Sequence, residues 1–394
     1  MIEALQSSLS ENPALELLLL CARRQIGATG ADTSKRILAL ASGQPDWNAF
    51  LAAAAEHSLT PLVCKNIQAC AGAALPAIWR ERFTQLFLEC SCRNLALTAE
   101  LFRVLEALES HGVSATPYKG PVLASQVYGE VALREFSDLD IILPQAQIAS
   151  AHRTLLDLGF CPEIAAIESP QSARRIPGQY AYRKGVGTLV ELHTEKTLRY
   201  FPVALDLDAL STRRQPMILA GRQVLTFSAE DTLLLLCVHG SKHLWDRLAW
   251  IADIAVLVAR WHIDWGLVLE RARSWHVERM LLLGVGLAVC LLEAPLPDEV
   301  TNCLRRDKVA DRLIEQISRR FFSAGRIRPG VFTRFAFRVR MRGALAEGLP
   351  YAIRLALMPT ELDRGKRGLP EGVYALVRPL RLARTYGWRT RVGR

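Results

Sequence analysis

Two aspartates, Asp138 and Asp140, stand two positions apart at the start of the segment DLDIILP, which otherwise has the composition of a buried strand. Side chains two apart in a strand project to the same face, and paired like charges cost free energy unless a positive group lies between them. A divalent metal ion held by oxygen ligands is such a group, and two ions can clamp an in-line attack on phosphorus. The spacing therefore predicts metal-dependent phosphate chemistry. The alternatives are a solvated strand end and an ion pair with Arg134.

A third carboxylate is available from Glu191, which lies between two apolar residues in the later segment TLVELHTEK. An adjacent strand could bring it to the aspartate pair, so we predict Glu191 as the third metal ligand, with an exposed strand residue as the alternative. Glu195 falls on the same face by alternation, but beyond the covered part of the strand. A second pair, Asp206 and Asp208, is interpreted as solvated because it lies beside a proline.

Histidines supply the remaining candidates for chemistry. His239 and His243 are four residues apart on a predicted helix and therefore share a face. That spacing binds zinc only with a further ligand, and no HExxH signature is present, so we predict a core or substrate-pocket role. His193 shares a face with Glu191 and could support the metal ligands or contact nucleotide. Asp253 is expected to cap its helix or to pair with a histidine.

The elements that must position these side chains are indicated by hydrophobic patterning. The first 110 residues are rich in Ala and Leu at helical spacing, and a long helix ends near His111 and Gly112. A mixed segment follows, in which QYAYRKGVGTLVELHTEK predicts a β-hairpin around its glycines. From Ser228 the helical pattern returns, with a capping-box-like start in which Asp231 follows three residues later.

This arrangement resembles the uncharacterised nucleotidyltransferase family of the polymerase-β-like superfamily. The resemblance extends to the segments VELH and HGSKHLWDRLAWIADIAVL, and so to most of the chain. The residues of the central pattern that carry it are Lys119, Gly120, Tyr128, Arg134, Ser137, Asp138 and Asp140.

The resemblance implies a set of roles. Asp138, Asp140 and Glu191 would be the catalytic and metal-binding triad, holding two Mg²⁺ ions, with Mn²⁺ as a substitute. The nucleotide-binding residues would be Lys119, Gly120, Arg134 and Ser137, and the substrate-pocket residues would be His193, His239 and His243. Gly120 would let backbone amides approach the triphosphate, and the two cations would neutralise its charge. Gly120 is followed by proline where the superfamily has serine, which removes a hydroxyl and an amide donor.

The predicted fold class is α+β, with a small mixed β-sheet nucleotidyltransferase core flanked by N- and C-terminal helical regions. The predicted regions are an N-terminal helical region (1–110), the nucleotidyltransferase core (111–227), a helical acceptor-pocket region (228–300) and a basic C-terminal helical region (301–394).

Charge is distributed unevenly along the chain, whose formal net charge is +10. Residues 301–394 hold 22 Lys and Arg against 7 Asp and Glu. This basic region predicts a docking face for an anionic membrane surface or nucleic acid, with a solvated helical surface as the alternative. No apolar run is long enough for a transmembrane segment and no signal peptide is evident. The nine cysteines form no CxxC pair, so we expect reduced thiols and a cytoplasmic location.

The predicted activity is transfer of a nucleoside monophosphate from a nucleoside triphosphate, such as ATP, to an unidentified small or macromolecular acceptor, with release of pyrophosphate. The alternative from another class is a catalytically weak protein that binds nucleotide or a partner and docks through its basic tail. A third hypothesis makes nucleic acid the acceptor or ligand, contacted by the aromatic and basic segment FTRFAFRVRMR.

Overall fold

The computed structural model describes residues 12–23, 30–163, 179–185, 187–194, 207–322 and 330–342, together with single positions at 353, 357, 377, 378, 380 and 381. Most of the predicted basic region 301–394 beyond residue 342 lies outside the described residues. Glu195 and Asp206 also lie outside them, as does the side chain of Asp208. Among the described residues, no helix is both long enough and apolar enough to cross a bilayer.

Helices occupy both ends of the described chain and the sheet lies between them. The N-terminal helices are α1 (Pro13–Arg23), α2 (Gly30–Ser42), α3 (Trp47–Glu56), α4 (Thr60–Ala71) and α5 (Ala77–Ser110). The central helices are α6 (Gly120–Tyr128), α7 (Ile148–Asp157) and α8 (Leu207–Thr212), with short 3₁₀ turns at Val131–Leu133 and Gln145–Gln147. The later helices are α9 (Ala229–Lys242), α10 (Leu248–Arg260), α11 (Trp265–Ser274), α12 (Glu278–Leu292), α13 (Asp298–Arg306), α14 (Lys308–Phe322) and α15 (Val331–Met341).

The central sheet is mixed. Its strands are β1 (Thr116–Pro117), β2 (Asp138–Ile142), β3 (Cys161–Pro162), β4 (Gln179–Lys184) and β5 (Thr188–His193). They lie in the order β1-β2-β5-β4-β3, with β2 and β5 parallel and the other neighbours antiparallel. A separate hairpin is formed by β6 (Gln215–Leu219) and β7 (Arg222–Thr226). The predicted α+β fold class and the predicted hairpin, now β4 and β5, are confirmed.

Two apolar cores hold these elements. One contains residues of the N-terminal helices together with residues of α9, α10, α12 and α14. The other lies behind the sheet and joins the second half of α5 to α7, β2, β4 and β5. Leu139 and Ile141 of β2 point into that second core, so alternation sends Asp138 and Asp140 to the opposite face. The division of the chain into the predicted regions remains a prediction.

The start of α9 is fixed by its cap. Ser228 accepts a hydrogen bond from the backbone N–H of Asp231 at 3.3 Å, as the sequence predicted. This cap fixes the residue at which α9 begins. Leu235, Val238 and His239 of this helix line a cavity that the aspartate pair also lines.

Candidate active site

The acids come together through the pairing of two neighbouring parallel strands. Asp140 of β2 lies directly opposite Glu191 of β5, and Asp138 lies opposite Leu189. Because paired residues of adjacent strands share a face, all three carboxylates project from the same side of the sheet. Ligand atoms of Asp140, Glu191 and His193 lie within 4.8 Å of one another. The sequence therefore predicted two of these three residues as ligands and placed the histidine beside them.

Asp140 is surrounded by positive and hydrogen-bonding groups. Its Oδ1 lies 2.6 Å from Lys119 Nζ and 2.8 Å from His193 Nε2. Burial opposes ionisation of this carboxyl group, but the charge of Lys119 and the hydrogen bond from His193 outweigh it and hold the pKa of Asp140 well below its usual range. In return, Asp140 overcomes the burial of Lys119 and raises the pKa of that ammonium. Both side chains are ionised.

The negative charges of Asp138 and Glu191 are less well balanced by nearby cations than that of Asp140. Asp138 forms no ion pair with any residue in the described part of the chain, and burial followed by the charge of Asp140 raises its pKa. Glu191 accepts a hydrogen bond from Gln179 Nε2 at 2.6 Å. Burial, and then the charge of Asp140, raise the pKa of Glu191 to about 7. The cluster thus carries more carboxylate than nearby cations neutralise, which is the condition that a divalent cation relieves.

Arg134 is anchored away from the aspartate pair. Its Nε donates to Asp253 at 3.0 and 3.2 Å, and the hydroxyl of Tyr128 donates to the same carboxylate at 3.0 Å. An ion pair between Arg134 and the aspartates, one alternative from the sequence, is therefore not formed. Asp253 pairs with this arginine and tyrosine rather than with a histidine. The terminal nitrogens of Arg134 have no hydrogen-bond partner among the described residues, and the side chain lines the cavity.

A cavity of about 540 Å³ opens over the acids. Gly120 does not line it: this residue is buried, has φ +57°, and would bring a Cβ within 3.1 Å of the carbonyl oxygen of Asp138. The glycine thus serves the close approach of α6 to β2. The predicted site residues that do line the cavity are Lys119, Arg134, Ser137, Asp138, Asp140, Glu191, His193, His239 and His243.

The sequence analysis missed further lining residues, among them Gln179, Lys242 and Trp250. Lys242 Nζ lies 3.5 Å from Gln179 Oε1, and burial, then the charge of Lys119, lower the pKa of Lys242 to about 8. The sequence did contain a signal for Lys242 as a site residue, because it follows His239 by three residues and so belongs to the same helix face.

An α+β core whose central sheet holds a cluster of carboxylates under a polar cavity is compatible with phosphate-transfer enzymes. The sequence pattern of a family described as uncharacterised nucleotidyltransferase matches residues 43–293. The match covers more than half of the chain, so the protein belongs to this family, and the resemblance noted in the sequence is confirmed. No curated protein matches the chain. Membership indicates an enzyme that acts on nucleotides.

Proposed function

We propose that the protein transfers a nucleoside monophosphate from a nucleoside triphosphate to an acceptor and releases pyrophosphate. The observation that carries the proposal is that Asp138, Asp140 and Glu191 project from one face of two paired strands under a cavity, where ligand atoms of Asp140, Glu191 and His193 lie within 4.8 Å of one another. In a chain of a nucleotidyltransferase family, that face is the natural place for the reacting phosphate.

The donor set fits a hard divalent cation. Carboxylate oxygens are the ligands that Mg²⁺ and Mn²⁺ prefer, and Asp138 and Glu191 lack full compensation by cations of the chain. Asp138, Asp140 and Glu191 would hold the ions, and His193 would orient Asp140 through its hydrogen bond. When bound, two such ions would polarise the phosphoryl oxygens and lower the pKa of the attacking hydroxyl.

Cations of the chain would hold the triphosphate. Arg134 is fixed through Nε by Asp253, which leaves its terminal nitrogens for phosphate oxygens at little conformational cost. Lys242 adds a further cation to the lining of the cavity. Lys119 is bound to Asp140, so its role would be to keep that acid ionised. Ser137 is exposed beside the acids and offers a hydroxyl to the nucleotide.

The direct test is pyrophosphate release from each of ATP, GTP, CTP and UTP with Mg²⁺ or Mn²⁺, across a panel of acceptors. Label from the α-phosphate should appear in the acceptor product. Asp138→Asn should abolish both signals, because it removes a ligand oxygen charge. Asp157→Asn, on the exposed end of α7, is the matched control and should leave them unchanged. Labelled product formed equally well by Asp138→Asn would refute the assignment.

A second function is favoured by one specific contact. Asp140 is already neutralised by Lys119 at 2.6 Å, an arrangement that also suits a catalytically weak protein that binds nucleotide or a partner. Metal-dependent nucleotide binding without pyrophosphate release, with any acceptor tried, would support this alternative.

Docking of the basic C-terminal region to anionic lipid or nucleic acid is a separate proposal. Its test is whether RNA or DNA binding weakens steeply with salt.

A further inference from the structure

Three aromatic rings form one continuous wall of the cavity. The ring centroids of His239 and His243 lie 4.7 Å apart. The indole of Trp250, from α10, lies 5.3 Å from the first ring and 5.2 Å from the second. All three side chains line the same cavity as the carboxylates. We call His239, His243 and Trp250 the ring wall.

The ring wall carries no net charge at neutral pH. Burial, followed by the charge of Lys119, places the pKa of His239 well below its ordinary value. Burial and then Lys242 lower the pKa of His243 to about 3. Two neutral imidazoles beside an indole, with interplanar angles of 51°, 88° and 42° among the three rings, give an aromatic surface that attracts other planar rings.

Lys242 connects the ring wall to the acid cluster. It is three residues after His239 on the same face of α9, and its Nζ approaches Gln179, which in turn donates to Glu191. A ligand that touches the ring wall at one end and the acids at the other therefore passes this ammonium. The cavity, at about 540 Å³, falls within the ordinary range for ligand pockets.

Given the proposed function, we propose that the ring wall is the subsite for the nucleobase of the triphosphate substrate, packed against Trp250 while its phosphates extend past Lys242 towards the acids. The nucleobase supplies the flat, heteroaromatic surface that such rings recognise, and stacking of this kind tolerates different bases.

The test compares two ligands that share phosphates and differ in the base. Calorimetry would measure the Mg²⁺ complexes of inorganic tripolyphosphate and of the tightest-binding of ATP, GTP, CTP and UTP. Trp250→Leu should weaken the nucleotide at least about five-fold, the lower end expected for one lost stacking contact, and leave tripolyphosphate unchanged. Trp250→Phe should restore most of the affinity. Trp261→Leu is the matched control, since that indole is exposed and donates to the backbone of Gln126 outside the cavity.

His243→Leu, compared with His243→Phe, repeats the test if Trp250→Leu does not fold. Equal affinity of the wild type for tripolyphosphate and nucleotide would overturn the inference and leave the proposed function standing. A loss of affinity for both ligands in Trp250→Leu that Trp250→Phe does not restore would also overturn the inference and leave the proposed function standing. If the wild type binds neither ligand, the proposed function fails, and the subsite with it.

Discussion

Asp138 and Asp140 stand two residues apart and yet occupy opposite electrostatic situations. The backbone N–H of Tyr118 donates to the carbonyl oxygen of Asp140 at 3.3 Å, which brings the next residue, Lys119, to the Asp140 carboxylate. Asp138 lies two residues earlier in the same strand and forms no ion pair with a lysine or arginine of the described chain. The pair therefore combines one acid that is held in the fold with one acid that is available to a ligand.

Neutralising the two acids should have different effects on stability. Asp138→Asn removes a poorly compensated charge that burial and Asp140 disfavour, so the thermal midpoint without metal should stay the same or rise. Asp140→Asn leaves Lys119, 8% exposed, without its counter-charge, and should cost about 3–5 kcal/mol. Differential scanning fluorimetry and urea unfolding measure both. Equal destabilisation by the two substitutions would contradict the asymmetry.

Acid should destabilise the fold through the ring wall. The folded pKa of His243 is depressed to about 3, from a usual value of 6.5, so the unfolded chain binds the proton first as pH falls. The stability that this group contributes is complete above pH 6.5 and is lost progressively as pH falls towards 3. The expected slope from this residue is at most about 1.4 kcal/mol per pH unit.

The check is urea unfolding between pH 7 and pH 5 for the wild type and His243→Gln. The variant should show the shallower fall, because glutamine does not titrate. Parallel curves for the two proteins would show that His243 is protonated equally in the folded and unfolded states.

At the level of elements, one face of α9 lines the cavity and the other packs against a neighbouring helix. One face carries His239 and Lys242 to the cavity. The other packs against α12, where Gly240 and Gly284 both approach the indole of Trp245. The missing side chains at these glycines set how closely the helices lie.

Gly240→Ala should destabilise the protein through this contact. A Cβ there would lie 2.3 Å from Cζ3 of Trp245, and such overpacking costs about 1–3 kcal/mol. Gly266→Ala is the matched control: this glycine is the second residue of α11, and a Cβ there would lie 3.4 Å from a side-chain oxygen of Asp264. The control should be neutral or stabilising because alanine favours helix. Urea midpoints compare the two, and an equally mild effect of Gly240→Ala would argue against close packing there.

The elements were more predictable than the contacts between them. Alternation in β2 was enough to place Asp138 and Asp140 on one face, since the period of a strand is a local property. Bringing Glu191 to that face also required the pairing of β2 with β5. The pairing of Arg134 with Asp253 spans 119 residues, and no local pattern encodes it. Lys242 was missed for a different reason: its helix spacing from His239 was visible, but only the tertiary structure shows which side of α9 faces the sheet.

At the level of the whole molecule, the first described helix is joined to one of the later helices. Side chains of α1 and α12 belong to the same apolar core, and Arg23 donates to the backbone carbonyl of Leu291 at 3.1 and 3.2 Å. The sheet has its own core, which α5 connects to the first because Phe83 lies in one and Leu101 in the other. Regions that the sequence separates as N-terminal and later helices thus share their packing.

This shared packing predicts that α1 and α12 open as one cooperative unit. Leu18 of α1 is fully buried, and Leu18→Ala should cost about 2–5 kcal/mol through the cavity it leaves. If the helices unfold together, the substitution should lower hydrogen-exchange protection in both of them. Native-state exchange followed by mass spectrometry in low urea would resolve each helix.

Leu155→Ala is the control for that experiment, because Leu155 is equally buried in the core behind the sheet. It should lower protection in β2 and β5 more than in α1 or α12. The two substitutions remove the same atoms, so a difference in which amides respond reports the boundary between the cores and not the size of the cavity. Loss of protection confined to α1 in Leu18→Ala would show that the N-terminal helices open independently. In that case the cavity would keep its α9 wall even while α1 is unfolded.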